Sequence, residues 1–351
     1  MRLEIEIKTP TVVTSGEYLI NLILYRKGGS LFRLSIDKLF YDILNKENNR
    51  NFIENFKNKL SGNVVGIKDL YSNISVKDEY LVWPEIKKFP EKFMENRQQV
   101  LDYIGYFYRK DDRDYYLPYL PGSTIKGAIR NALISKILRE NPAGDVKKIE
   151  KDSFTLYFTN DNERVIFQLR DIFRFVQISD FRVKNINELS MGIGLVKRVN
   201  FINNSEKIPS YTFYLLPGTL FEGDISISID LKLYIKNRYN KLNRNSKLIK
   251  ELVFNNYNNG ELNADEMIKY LLKSLNDFSN NVARSQEYGL IFKDISLSNG
   301  QNGRYDAFIG RFKGKYLNLP RLPKNLKTYP IIFTGDGKKY KMGHVNFIMR
   351  L

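Results

Sequence analysis

The chain has no cysteine, one histidine and one tryptophan. Without a thiol it forms no disulfide, offers no thiolate nucleophile and holds no zinc through cysteine. The lone histidine, His344, makes no histidine metal set, and neither metal nor cofactor is expected. Long apolar runs are missing too: none approaches the roughly 20 residues that crossing a bilayer needs. The opening residues, MRLEIEIKTP, alternate like a half-buried strand and lack the regions of a signal peptide. A soluble, cytoplasmic protein with no membrane partner is expected.

Negative charge is also scarce. Asp and Glu number 39 against 56 Lys and Arg, a net charge of +17. Such an excess favours a polyanionic partner, because each neutralised phosphate releases counterions. It also, more simply, keeps a protein soluble. Two features weight the first reading: the cations are clustered, and 23 tyrosines with 23 phenylalanines offer surfaces for base stacking. A length of 351 residues points to two domains, and 42% hydrophobic residues suffice for sizeable cores.

Leu3, Ile5 and Ile7 alternate with charges as in a strand, which runs into a turn at Thr14 to Gly16. LFRLSI reads as a strand before the helix KLFYDIL, and the asparagine-rich residues 45–60 as solvated helix or loop. Trp83-Pro84 reads as an irregular connection. SFTLYFTN with RVIFQL, and YTFYLL with LFEGDISISI about Pro217-Gly218-Thr219, read as hairpins. FVQISDFRV reads as one strand, and YDAFIGRF and HVNFIMRL as late strands. Met267, Ile268, Leu271, Leu272, Leu275, Phe278 and Val282 recur at helical spacing. Hairpins and helices without regular βαβ repeats predict an α+β protein, two antiparallel sheets backed by helices with hairpin and helical insertions. A boundary in 190–210 divides it into 1–195 and 196–351.

The stretch LPGSTIKGAIR (120–130) has two glycines at the separation of a nucleotide-binding P-loop. Ala128 stands where that loop needs lysine, and Ile129 where it needs the magnesium-binding hydroxyl, so ATP binding is excluded. What remains is a helix start. Ser123 or Thr124 can cap it, and Ile125, Ile129, Ala132, Leu133 and Ile137 form its buried stripe. Its first turns carry Lys126 and Arg130 and no carboxylate, although cations at a helix N-terminus cost roughly 0.3–1 kcal/mol each. The two cations share a face that suits a phosphate; an ordinary capped helix with solvated cations is the alternative.

LPGSTIKGAIRNAL resembles the IPGSSLKGALR motif of the RAMP superfamily, the RNA-binding subunits of type III CRISPR effector complexes. TPTVVTSGEYL, which holds Ser15 and Gly16, LFRLSIDKLF, and QISDFRV with its Ser-Asp pair are similar to further segments of that family. Length and motif order most resemble subunit five of the subtype III-A (Csm) complex. GDGKKYKMGHV matches a late glycine-rich loop through Gly335, Gly337, Lys338, Lys339, Lys341 and Gly343, with Val345 replacing its final glycine. Met342-Gly343-His344-Val345 stands where members often end in a Leu-Gly-Trp-Val-like segment.

The resemblance implies two RRM-like (ferredoxin-like) domains and a non-catalytic subunit that binds the 3′ part of a CRISPR RNA. It further implies a part in maturation of that RNA and in antiviral interference within a ribonucleoprotein. Neighbouring RAMP backbone subunits, small helical subunits of the Csm complex and host trimming nucleases are the implied partners. Contacts fall on phosphates and sugars, since a guide keeps its bases free. The RNA-binding residues so marked are Ser15, Gly16, Gly122, Ser123, Thr124, Lys126, Arg130, Lys338, Lys339 and Lys341, joined by Lys197 and Arg198 from the reading below.

MGIGLVKRV lacks the third glycine of a dinucleotide fingerprint and reads as a loop that presents Lys197 and Arg198 to RNA, or as a plain loop. Residues 231–250 interleave seven cations with Tyr234 and Tyr239, which suits single-stranded RNA or a solvated face. YIGYFYRKDDRDYYLPYL has an acidic tip, Asp111, Asp112 and Asp114. That tip is an RNA-cleaving candidate or, by preference, a hairpin turn. His344 is a candidate general acid/base for metal-independent cleavage of CRISPR RNA, against the reading of a packed imidazole.

Overall fold

The computed structural model describes residues 1–20, 23–45, 75–95, 98–140, 153–159, 165–169, 171–200, 206–242, 247–284, 295–298, 300–310 and 328–349, with a few single positions between. The helix or loop expected at 45–60 lies largely outside the described residues.

Strand β1 (Arg2–Ile7) is followed by β2 (Thr14–Ile20), the hairpin β3 (Leu24–Lys27) and β4 (Ser30–Leu34), and helix α1 (Ile36–Leu44). Next come β5 (Leu81–Lys88), the single turn α2 (Lys92–Glu95), β6 (Gln99–Tyr103) and the hairpin β7 (Gly105–Lys110) and β8 (Arg113–Leu120). Helix α3 (Gly122–Glu140) leads to the hairpin β9 (Leu156–Thr159) and β10 (Val165–Leu169), then to β11 (Val176–Ile178) and β12 (Phe181–Val183). The long strands are β13 (Met191–Asn200), β14 (Glu206–Leu215) and β15 (Leu220–Ile227). Helices α4 (Ile229–Arg238) and α5 (Lys247–Leu252), the small hairpin β16 (Tyr257–Asn258) and β17 (Glu261–Leu262), and α6 (Ala264–Arg284) follow. The last strands are β18 (Arg304–Phe308), β19 (Thr328–Phe333), β20 (Lys339–Tyr340) and β21 (His344–Met349).

One group of strands runs in the order β18, β21, β1, β15, with β11 and β12 end to end along the far side of β15; every pair is antiparallel. Helix α6 packs on β15 and β18, and α3 on β11 and α6. Ile5, Phe221, Ile225 and Phe347 of the sheet and Ile129, Leu133, Leu271 and Leu275 of the helices are essentially inaccessible. Burial of each such side chain contributes about 1.5–3 kcal/mol. The helical stripes on α3 and α6 are therefore the core faces that the sequence spacing predicts.

The second group centres on β13. Strand β14 lies antiparallel on one side and β19 on the other, with β20 beyond β19. β6 joins β14 and β2 joins β6. β5 meets β13 at Met191 and Gly192 and continues to β4, β3, β8 and β7. The pairing of β8 with β12 makes the two groups one continuous sheet. Strands and helices are thus mixed around a large, mainly antiparallel sheet, in keeping with an α+β protein. Residues 195 and 196 lie inside the continuous strand β13, and both groups draw strands from either side of that point.

Five local readings are corrected. The turn expected at Thr14 to Gly16 is the irregular start of strand β2. β14 and β15 do not pair with each other: Pro217-Gly218-Thr219 is a corner at which the chain leaves β13 for β1, with the Gly218 N–H donated to the Ile7 carbonyl at 2.8 Å. FVQISDFRV is broken at Ser179-Asp180 into β11 and β12, both on β15. Trp83-Pro84 lies inside β5, where a register shift against β4 spares Pro84 a ladder hydrogen bond. MGIGLVKRV is a strand and not a loop. Its glycines admit neighbours, since a Cβ on Gly192 would collide with the Tyr214 ring and one on Gly194 would lie 2.5 Å from Ile332.

Candidate nucleic-acid interface

The helix that lacks an acid of its own receives one from elsewhere. Asp180, between β11 and β12, accepts the Gly122 N–H at 2.9 Å, which places a carboxylate at the positive end of α3. Ser179 fixes that carboxylate, because its hydroxyl accepts the Asp224 N–H at 2.8 Å and its own N–H goes to the Asp224 carbonyl at 2.9 Å. Gly122 is what lets helix and strand meet: a Cβ there would lie 2.7 Å from the Ser179 carbonyl oxygen and closer still to that of Ile178. Of the two motif glycines, Gly122 is therefore explained by packing.

Gly127 is not. It sits inside α3, where a Cβ would meet nothing within 4 Å and where glycine costs about 1 kcal/mol relative to alanine. It lines a cleft of about 350 Å3 together with Ser123, Thr124 and Asn131 of the same helix face, Thr14, and Gly310. Gly310 permits the far wall, since its Cβ would lie 2.5 Å from the Val12 carbonyl oxygen. Ser15 and Gly16 follow Thr14 directly and are exposed; Gly16, at φ +92°, donates its N–H to the Thr14 hydroxyl at 2.9 Å.

Lys126 and Arg130 occupy another face. The Arg130 guanidinium is 2.5 Å from an Asp171 oxygen and lies over the rings of Phe154 and Phe173, at 4.7 and 5.8 Å. It ties α3 to the segment before β11. Partial burial moves the Lys126 pKa below its ordinary value; Arg130 adds to this and Asp171 opposes it.

A second cationic group lies on β13 and the β19–β20 loop. Lys338 and Lys339 are exposed, and the Nζ atoms of Lys339 and Lys197 lie 5.2 and 4.9 Å from the centroid of Phe333. The side chain of Arg198 lies outside the described residues, although its backbone continues β13. The loop is braced: a Cβ on Gly335 would lie 2.6 Å from Phe89 backbone atoms. Asp336 accepts from the Thr334 hydroxyl and from the Lys338 N–H at 3.3 Å, and pairs with Lys88 at 3.5 Å. These contacts, the Thr334 hydrogen bond foremost, hold its carboxyl below the usual range. Lys341 precedes Gly343, whose N–H goes to the Pro10 carbonyl and whose carbonyl accepts the Ile309 N–H. That pair of bonds joins the glycine-rich segment to the two strands of chain that wall the cleft, at Val12 and Gly310.

His344 is buried, 2% exposed, with Nε2 3.0 Å from Oδ1 of the fully buried Asp306. Asp306 also accepts the Ser298 N–H and hydroxyl at 2.8 and 2.9 Å. Burial alone would raise the Asp306 pKa, but the hydrogen bonds from His344 and Ser298 outweigh it and carry it below its ordinary value. An imidazole so enclosed fits the packed reading of His344.

Asp111 and Asp112, at φ 49° and 58°, form the two-residue turn of the β7–β8 hairpin. Asp114 is paired with Lys38 at 2.5 Å. Among the described residues no group of three His, Asp or Glu side chains could hold a metal ion. In the basic 231–250 stretch, Tyr239 stacks on Tyr257 at 4.0 Å and Tyr234 packs towards Phe175, so the aromatics face the protein.

A sequence model of the RAMP superfamily matches residues 4–290. The chain is similar to one in a cryo-EM structure of a Csm–crRNA–target RNA ternary complex of a type III-A CRISPR-Cas system. The TM-score there is 0.62 at 15% identity, covering 99% of this chain and 100% of that one. It is also similar to the crystal structure of T.onnurineus Csm5, at TM-score 0.55 and 15% identity over 97% and 99% of the two chains. At that identity the likeness is one of fold. No curated protein sequence matches.

Proposed function

The chain belongs to the RAMP superfamily, and from that premise we propose that it is a non-catalytic RNA-binding subunit of a type III-A CRISPR effector complex, holding the 3′ part of the CRISPR RNA. The observation that carries the RNA-binding part is Gly127: a mid-helix glycine that no neighbour requires, beside two hydroxyls and an amide in an open cleft. Glycine there lets a strand backbone approach the helix. Ser123, Thr124, Asn131 and the irregular start of β2 at Ser15-Gly16 offer it donors, and Lys126, Lys197, Lys338, Lys339 and Lys341 offer charge. Phosphate and sugar contacts of this kind position a strand without reading its sequence, as a guide of varying sequence requires.

Two RRM-like units are proposed with it. The order β1, α3, β11/β12, β15, α6, β21 is βαββαβ, and its strands lie with the last beside the first, the first beside the third and the third beside the second. This supports one such unit built from both ends of the sequence, and the group around β13 supplies the other. Neighbouring RAMP backbone subunits, small helical Csm subunits and RNA-trimming nucleases complete the proposed assembly in the cytoplasm.

Titration of the purified chain with single-stranded RNA at several salt concentrations tests the core of this reading. Affinity falls with a slope of log K on log[salt] near −0.7 per neutralised phosphate. Failure to bind RNA, or binding indifferent to salt, refutes it.

A further inference from the structure

Near its glycine-rich loop the sheet carries an aromatic ring that the fold leaves partly exposed and that phosphate contacts do not use. Along β19, Ile332 is buried while Ile331 and Phe333 are partly exposed; along β13, Gly194 and Val196 are buried while Leu195 and Lys197 are partly exposed. One face of these strands thus covers the small core of Val12, Leu101, Val196, Tyr214, Ile332 and Met342, and the other packs Ile193, Tyr211 and Ile331 on the main core and is partly exposed beyond them. In register, Tyr211, Leu195, Phe333 and Lys339 stand opposite one another across four strands on that second face. Phe93 closes the Tyr211 end, with ring centroids 4.9 Å apart. At the other end two ammonium groups, from Lys197 and Lys339, sit about 5 Å from the Phe333 ring. The loop's acid, Asp336, is turned to Thr334, the Lys338 amide and Lys88.

A ring flanked by cations suits an unpaired nucleobase with a phosphate on each side: the base lies on the ring and the ammoniums swing to the phosphates. An apolar protein segment suits it poorly, because taking ammonium groups out of water costs more than one ring contributes. We propose that Phe333 is the stacking platform for one unpaired base of the bound RNA, with Lys197 and Lys339 on the flanking phosphates. This rests on the RNA-binding reading above and adds a base contact to it. Stacking accepts any base, because each has a π face, so a guide of variable sequence is still served.

The test uses the full chain and a fluorescein-labelled single-stranded RNA of about 12 nucleotides, scanned with one abasic ribose per position. Wild type loses about ten-fold in affinity at one register of the abasic scan. Phe333→Leu loses about ten-fold with the intact RNA, keeps the wild-type salt slope, and loses nothing more at that register, whereas Phe333→Trp retains affinity. The proposal is overturned if wild type binds RNA with a salt dependence but no register of the scan matters. It is equally overturned if folded Phe333→Leu binds as tightly as wild type, or if the substitution disturbs only assembly with a protein partner. No RNA binding by wild type would instead remove the functional reading itself, and this inference with it.

Discussion

Replacing Gly127 and Gly122 by alanine, one at a time, should have opposite effects although the two lie five residues apart on one helix. At Gly127 the new Cβ meets nothing within 4 Å, so only helix propensity changes, and alanine stabilises by about 1 kcal/mol. The same methyl group stands in the cleft beside Ser123 and Thr124. If a strand backbone passes there, displacement of one charge-assisted hydrogen bond costs about 1.5–3 kcal/mol, roughly ten- to hundred-fold in affinity. At Gly122 the new Cβ lies 2.7 Å from the Ser179 carbonyl oxygen and nearer to that of Ile178. The helix must retreat from β11 and β12, at a cost of about 1–3 kcal/mol for overpacking and about 1 kcal/mol for the strained Asp180 cap. Urea unfolding with an unchanged m-value, paired with RNA titration at fixed salt, reads both quantities. Gly127→Ala that binds RNA as wild type does would show that nothing approaches the cleft. If that substitution destabilised, or if Gly122→Ala were tolerated, the packing argument would fail.

Asp180→Ala removes the acid that caps the start of α3 and should lower stability by about 1 kcal/mol, read as a shift in urea midpoint. Arg130→Leu breaks the half-buried pair with Asp171 and the contacts to Phe154 and Phe173. It should cost about 1–3 kcal/mol of stability and leave the salt slope of RNA binding unchanged; a slope one phosphate shallower would place Arg130 on the RNA. Asp306 has a folded-state pKa below its unfolded value near 3.9, so its contribution is present above about pH 4 and is lost as the pH falls through the folded pKa. Unfolding measured from pH 6 to pH 3 should show an acid-side loss that Asp306→Asn flattens. His344→Ala should cost about 1–3 kcal/mol by removing one of the hydrogen bonds to a buried carboxylate, without altering any RNA cleavage measured in EDTA.

Periodicity carried the parts of the fold in which one element fixes its own buried face. The stripes of α3 and α6 and the alternation in β1 are of this kind, since a residue's neighbours three or two positions away set its environment. Strand partners were not legible in the same way. The corner at Pro217-Gly218-Thr219 carries every local mark of a hairpin turn, and nothing within reach of it shows that β15 will choose β1. The missing acid at the start of α3 was legible as an absence, while its supplier, Asp180, was known only as half of a Ser-Asp pair. For the site, cation counting selected Lys197, Lys339 and Arg130 alike, and only the structure shows that Arg130 pairs with Asp171 and packs over Phe154 and Phe173. Gly127 stood in the motif as a near-miss nucleotide loop; only the empty space around it gives its lack of a side chain a use. Phe333 carries no mark in the sequence, because TYPIIF is a nearly continuous apolar run in which no alternation singles out an exposed side chain.

Strand β1 sits between β15 and β21, whose residues follow it by more than two hundred and three hundred positions. During synthesis at roughly 5–20 residues per second, it must wait about ten to forty seconds for its first neighbour and longer for its second. Leu3, Ile5 and Ile7 spend that interval without the sheet that buries them. The emerging chain therefore carries an unpaired central strand, a target for chaperones and a template for misassembly. The segment that holds Gly343 and β21 closes both the sheet and one wall of the cleft in one step, since the two arrive together.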